Sequence, residues 1–165
     1  MWVQRIARRA LSLAPRGGVR DDGLRLVKLR QLSGQETSLE WWARCIHPWD
    51  SDLSPLRQSE LFSQQALLDT EAALIRLFRR LPGIDHIAFR VLDPVARNGF
   101  AAVDTKEGAD GAVESPEFGV RVILAGNVER KDLIPARHSQ SIKMRLMMMG
   151  VRFLLVGGQL EALAA

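Results

Sequence analysis

Residues 54–92 read SPLRQSELFSQQALLDTEAALIRLFRRLPGIDHIAFRVL, and the period of the apolar residues changes within this stretch. As far as residue 81 they recur every three to four positions. With Ser54 as the cap and Pro55 in the first turn, this spacing predicts one long helix. Over residues 84–92 apolar and polar side chains alternate, which predicts a strand. A long amphipathic helix followed by a strand of this kind indicates an α+β domain.

The core is expected to form around this helix. Leu68, Ile75 and Phe78 lie on it, and Leu146 lies on a second helix predicted over residues 139–149. All four are predicted to be buried, because they fall on the apolar stripes of the two helices.

Downstream of residue 92, alternating apolar residues predict short strands over 100–103, 118–124 and 151–156. The acidic, glycine-containing segment Asp104–Glu117 has little to bury and is predicted to be a mobile loop. The predicted fold is a mostly antiparallel sheet of about four strands, covered by two helices and preceded by an N-terminal amphipathic helix.

Upstream of residue 54, Thr37 and Glu40 form a capping-box pattern, which predicts a short helix over residues 38–46. Trp41 and Trp42 would then lie 100° apart, so that either the core wraps both rings or one ring is an exposed anchor. A weaker alternation over residues 24–32 predicts a strand.

The N-terminus has the clearest helical pattern of the chain. Trp2, Ile6 and Leu13 fall on an apolar half of the helical wheel, and Arg5, Arg8 and Arg9 fall on the opposite half. Gly17 and Gly18 follow Pro15, so the pattern predicts a helix and linker over residues 1–20 and a single domain over residues 21–165.

Composition excludes several classes of protein. The 165 residues are 47% hydrophobic and 25% charged, which is typical of a globular protein. Cys45 is the only cysteine, so an intrachain disulfide is excluded. Apolar runs fall short of the roughly 20 residues that a bilayer crossing needs. We expect a cytoplasmic protein, with peripheral membrane attachment as a variant, or a mitochondrial matrix protein if residues 1–20 are a presequence.

The positive charge is concentrated at one end of the chain. Residues 1–30 carry eight basic and two acidic side chains, whereas the remainder carries 15 basic and 17 acidic ones. This asymmetry indicates an anionic partner. The residues expected to bind a protein partner or an anionic surface lie on the first helix and are Trp2, Arg5, Ile6, Arg8, Arg9 and Leu13. For this role the apolar face of the helix should lie free of the core.

A second basic cluster surrounds the start of the last predicted helix. Arg137, His138, Ser139 and Lys143 would lie near the free amides of its first turn, an arrangement that can bind an anion. The other interpretation is a solvated basic face with Ser139 as the helix cap.

Patterns for common cofactor sites are missing from the sequence. It has no G-x-G-x-x-G, no G-x-x-x-x-G-K-[ST] and no recognised spacing of metal ligands, so we expect neither a cofactor nor a metal. The run Met144, Met147, Met148 and Met149 is expected to fill the core. A pliable partner surface and a copper(I) site are the alternatives.

These observations favour a non-catalytic interaction or adaptor domain that uses its basic N-terminal helix. A protein partner is expected first, and an anionic membrane surface second. One alternative is an enzyme or binding protein for an anionic small molecule at Arg137–Ser139. The other is a nucleic-acid binder with a continuous basic stripe joining residues 5–30 to residues 130–145.

Overall fold

The computed structural model describes residues 2–11, 24–93 and 121–164. The predicted strand over 100–103, the predicted loop Asp104–Glu117, and residues 12–20 lie outside these ranges. The elements, in chain order, are α1 (Trp2–Leu11), β1 (Arg25–Gln31), β2 (Glu36–Trp42), a 3₁₀ turn (Pro48–Asp50), α2 (Pro55–Arg80), β3 (His86–Leu92), β4 (Val122–Glu129), a 3₁₀ turn (Arg130–Asp132), α3 (Leu133–Ala136), α4 (Ile142–Met148), β5 (Val151–Val156) and β6 (Gln159–Glu161).

The strands form one six-stranded sheet in the order β1-β2-β3-β4-β5-β6. Among the described strands, β2 and β3 are the one parallel pair, and α2 connects them; the other neighbouring pairs are antiparallel. The α+β class is therefore confirmed, but the predicted counts of about four strands and two covering helices were too low. Strand β6 follows a two-residue turn in which Gly157 and Gly158 have φ of 57° and 85°, the geometry that glycine adopts at little cost.

In the segment predicted as a helix over residues 38–46, residues 38–42 belong to strand β2 and residues 43–46 form no regular element. Thr37, Leu39 and Trp41 are buried, while the residues between them point to the other face of the sheet. A strand gives the two tryptophans opposite directions, so Trp41 is fully buried and Trp42 is half-buried. Pairing with β1 on one side and β3 on the other overrides the capping-box pattern.

Helix α2 begins and ends close to the predicted positions. The Ser54 hydroxyl accepts a hydrogen bond from the Arg57 amide at 3.4 Å, as expected for a cap. The buried stripe, however, contains Leu67, Leu74 and Phe78 rather than the predicted Leu68, which is 46% exposed. Leu68 lies 100° from Leu67 around the helix, so a buried stripe centred on Leu67 leaves Leu68 towards the solvent.

The core lies between the sheet and the helices on one of its faces. Leu39, Phe89 and Leu124 contribute from the sheet, and α1, α2 and α4 pack their apolar residues against them. Trp41 and Phe89 stack with ring centroids 5.1 Å apart. Of the residues predicted to be buried, Phe78 and Leu146 are in the core, whereas Ile75 is half-buried.

The last helix is shorter than predicted. It starts at Ile142 rather than near Ser139, and turns of the chain occupy residues 137–141. Met149 is buried, but Met144, Met147 and Met148 are exposed, so the expectation that all four fill the core was wrong. The buried stripe is Leu146 and Met149, and the other methionines lie on the opposite side of this short helix.

The predicted position of strand β4 was also wrong. The predicted strand 118–124 overlaps only the first residues of β4, which continues to Glu129. Residues 118–120 lie outside the described ranges. Ala125, Gly126 and Asn127 are poor strand formers, but they pair with β3 on one side, and Ala125 and Gly126 also pair with β5 on the other.

Within the described ranges, none of the helices is long and apolar enough to cross a membrane.

Candidate binding surfaces

Helix α1 packs on the core of its own domain. Ala7, Ala10 and Leu11 are buried, and Val3 and Ile6 are partly buried against the same core. The Leu11 carbonyl accepts a hydrogen bond from the Leu24 amide at 3.2 Å, which ties the end of the helix to the start of β1. The expectation that the apolar face lies free is therefore wrong.

The outward side of α1 differs from the polar half of the predicted wheel. Trp2, assigned to the apolar half, is 65% exposed and lies on the same side as Arg5, Arg8 and Arg9. At 100° per residue, these four side chains are centred on the side of the helix opposite the buried Ala7 and Ala10. Of the other predicted contact residues, Ile6 is half-buried and Leu13 lies outside the described residues.

The basic residues of the N-terminal part of the chain lie together at one edge of the fold. Helix α1 packs beside β1, the edge strand of the sheet. Helix α1 carries three arginines, and β1 carries Arg25, Lys28 and Arg30, while neither element contains an acidic residue. This edge of the described molecule is therefore strongly positive.

The second basic cluster is divided between tethered and exposed side chains. Arg145 forms two parallel hydrogen bonds with the Glu71 carboxylate, one of them Nη2 to Oε2 at 2.9 Å, and also donates to the carbonyls of Ser139 and Gln140. The hydrogen bonds with Glu71 raise the pKa of the Arg145 guanidinium. Arg145 thus holds the 139–140 segment against α2.

Arg130 is tethered more extensively. Its guanidinium donates to the carbonyls of Phe78 at 2.9 Å, Leu81 at 2.7 Å and Ile84, and lies 5.1 Å from the centre of the Phe78 ring. It also pairs with Asp85 at 3.2 Å. These carbonyls lie at the end of α2 and in the turn after it, so Arg130 caps the C-terminus of the helix.

The predicted anion-binding residues lie in the turns before the last helix and at its start. Arg137, His138 and Lys143 are exposed, and Ser139 lies two residues before Ser141, which precedes the first residue of the helix. The Ser139 carbonyl accepts a hydrogen bond from Arg145. The anion site at this position remains a prediction.

The face of the sheet opposite the helices is a surface that sequence reasoning missed. Cross-strand register places Lys28, Glu40, Arg90, Ala125 and Arg152 in one row from β1 to β5. The neighbouring row contains Arg30, Ser38, Ala88 and Asn127. We call the two rows together the open face. The basic residues in both rows are exposed.

A metal centre does not emerge from the part of the chain that the structure describes, where no three His, Cys, Asp or Glu residues are grouped to hold an ion. Comparison with protein-family models, curated proteins and solved structures gives no match to this chain. The exposed surfaces of the fold are therefore the evidence for its function.

Proposed function

We propose that this protein is a non-catalytic interaction domain that binds an acidic surface of a partner protein through the outward side of α1. The observation that carries the proposal is the position of Trp2, which is 65% exposed on the same side of the helix as Arg5 and Arg8. Tryptophan and arginine dominate the binding energy of protein interfaces, so their combination on one exposed helix face supports a contact surface.

The docking of α1 favours a protein over a membrane as the partner. Adsorption to a bilayer requires an apolar helix face that enters the interfacial region. Here Ala7, Ala10 and Leu11 are buried in the core, which leaves Trp2 as the main apolar group available. A helix already ordered on its domain also avoids the entropic cost of folding during binding.

Two charge-reversed proteins test the proposal. Arg5→Glu/Arg8→Glu alters the outward side of α1, and Arg137→Glu/Lys143→Glu alters the exposed part of the second basic cluster by the same net charge. Full-length proteins are cross-linked in extracts of the source cells, and the captured proteins are quantified. We expect partners captured by the unmodified chain to be lost with the α1 variant and kept with the control. Trp2→Ala should weaken capture without changing net charge.

The same variants distinguish the other readings. Co-sedimentation with vesicles of 30% phosphatidylserine in phosphatidylcholine, lost on α1 reversal and at high salt, would establish a membrane surface instead. Loss of capture with the Arg137/Lys143 variant alone would move the site to the second basic cluster. Capture that neither variant changes would exclude both basic surfaces.

A further inference from the structure

The open face presents three cationic side chains at regular spacing. Lys28, Arg90 and Arg152 belong to one cross-strand row and are two strands apart in each step. Strands in a sheet are about 4.8 Å apart, so the backbone positions of these residues are separated by about 10 Å and the row spans about 19 Å. Side chains in one row of a sheet point to the same face, so all three project from the open face.

The residues of the open face that lie between these cations have small side chains. A basin of about 530 Å³ lies in the middle of the open face, and the side chains of Ser38, Ala88 and Ala125 on its floor are among the smallest available. Arg90 and Arg152 flank the basin, and Asn127 adds an amide that can donate and accept hydrogen bonds. A ligand crossing the strands can therefore lie close to the sheet between the two arginines.

The charges of the open face are largely uncompensated. Lys28, Arg30 and Arg152 form no ion pair with any described residue. Arg90 has one partner, Glu40, at 3.4 Å, and this exposed pair is weakly held. Glu40 is thus the only acidic residue in the two rows.

We propose that the open face binds single-stranded nucleic acid, whose phosphodiester backbone runs across the strands along Lys28, Arg90 and Arg152. A row of cations about 19 Å long complements a chain of phosphates better than it complements a single small anion. The basin is also open to solvent, whereas small-molecule sites bury most of their ligand. Half-buried Trp42, paired in register with Arg25 beside the row, offers one ring for base stacking.

This proposal concerns a different surface from the outward side of α1 and stands independently of it. Contacts to the backbone carry no sequence information, so binding should depend little on base sequence. Strong dependence on salt is expected instead. With about three phosphates neutralised, the logarithm of the association constant should fall with the logarithm of salt concentration with a slope of roughly −2.

The test measures fluorescence anisotropy of a fluorescein-labelled 20-nucleotide oligothymidylate with the full-length protein, between 50 and 200 mM NaCl. The unmodified protein should lose affinity about fifteenfold over this range. Lys28→Ala and Arg152→Ala should each weaken binding on the order of fivefold and reduce the slope by about 0.7. Arg79→Ala and Arg80→Ala, which alter exposed arginines at the end of α2, should leave the slope unchanged.

Glu40→Gln gives the sharpest outcome. It removes the one carboxylate from the row and frees Arg90, so affinity for the oligonucleotide should rise. A merely structural role of the row would produce no such gain. Lys28 is exposed and Glu40 is half-buried, so Lys28→Ala and Glu40→Gln are expected to fold. Their affinities for the oligonucleotide therefore test the proposal even if another variant fails to fold.

Four results would overturn the proposal in whole or in part. The first is an absence of binding at 50 mM NaCl. The second is a salt slope and affinity that Arg152→Ala and Glu40→Gln leave unchanged. The third is equal competition by polyglutamate of matched charge, which would identify a site for acidic protein. Tighter binding of a duplex of the same length would overturn the single-stranded assignment.

Discussion

The two faces of the sheet use arginine in opposite ways. On the helix-covered side, Arg130 and Arg145 each bind several carbonyl and carboxylate oxygens and so join separate elements. Arg44 similarly joins the chain after β2 to Asp69 of α2, with Nε to Oδ2 at 2.7 Å and Nη2 to Oδ1 at 2.9 Å. On the open face, Arg152 has no ion-pair partner among the described residues. A basic residue in the sequence therefore indicates a binding surface only when the fold leaves its charge uncompensated.

The largest loss of stability is expected on the covered side, from Phe78→Ala. The ring is 1% exposed and lies beneath the Arg130 guanidinium, so truncation removes apolar burial, leaves a cavity and abolishes the cation–π contact. We expect a loss of about 3 to 4 kcal/mol in the free energy of unfolding, measured by urea titration. Leu68→Ala on the exposed side of α2 is the control and should cost less than about 1 kcal/mol. A similar cost for both would mean that the buried stripe of α2 is misassigned.

Removing Arg130 should produce the next largest effect. Arg130→Ala leaves the carbonyls of Phe78, Leu81 and Ile84 without this donor, and we expect a loss of about 2 to 3 kcal/mol. Arg152→Ala, from the open face, should change the stability by less than about 0.5 kcal/mol. Paired thermal melts of these two variants test the comparison directly. Equal losses would contradict the assignment of arginines to two roles.

Double-mutant cycles sharpen the same comparison with two ion pairs. The Arg145–Glu71 pair has side chains 20% and 16% exposed, and its coupling energy should be about 1 to 2 kcal/mol. The Arg90–Glu40 pair has side chains 57% and 21% exposed and a longer distance of 3.4 Å, so its coupling should not exceed about 0.5 kcal/mol. Each cycle uses alanine for the arginine and glutamine for the glutamate. A stronger coupling on the open face would mean that Glu40 holds Arg90 in place rather than merely lying beside it.

Local patterns predicted the long helix, the strand after it and α1, because these segments are long or strongly periodic. The stretch containing Trp41 and Trp42 was misread because its capping-box pattern competes with an equally good alternation of Thr37, Leu39 and Trp41. The alternation prevails because strands form on both sides of β2. Tryptophan is also more common in strands than in helices, which favours a strand here.

Strand β6 could have been found from the sequence. Gly157-Gly158 lies between the apolar end of β5 and residues 159–161, and two glycines between strands are a recognised signal for a tight hairpin. The open face could not have been found in this way. Lys28, Arg90 and Arg152 are far apart in the chain, and only the cross-strand register brings them into one row.

The smallest predicted change in stability comes from a buried hydroxyl group on the helix-covered side of the sheet. The Thr70 hydroxyl of α2 is buried and has no hydrogen-bond partner among the residues that the structure describes. An unsatisfied buried hydroxyl carries a desolvation cost, and valine replaces it with a methyl group of similar shape. Because threonine and valine are both β-branched, helix propensity changes little. Thr70→Val should therefore raise the free energy of unfolding by about 0.5 to 1 kcal/mol, whereas the control Thr70→Ala should lower it because it also removes a buried methyl group. Urea titration of both variants measures the difference. A loss of stability with valine would show that the hydroxyl is hydrogen-bonded in solution, for which a buried water between α2 and the sheet is the simplest partner.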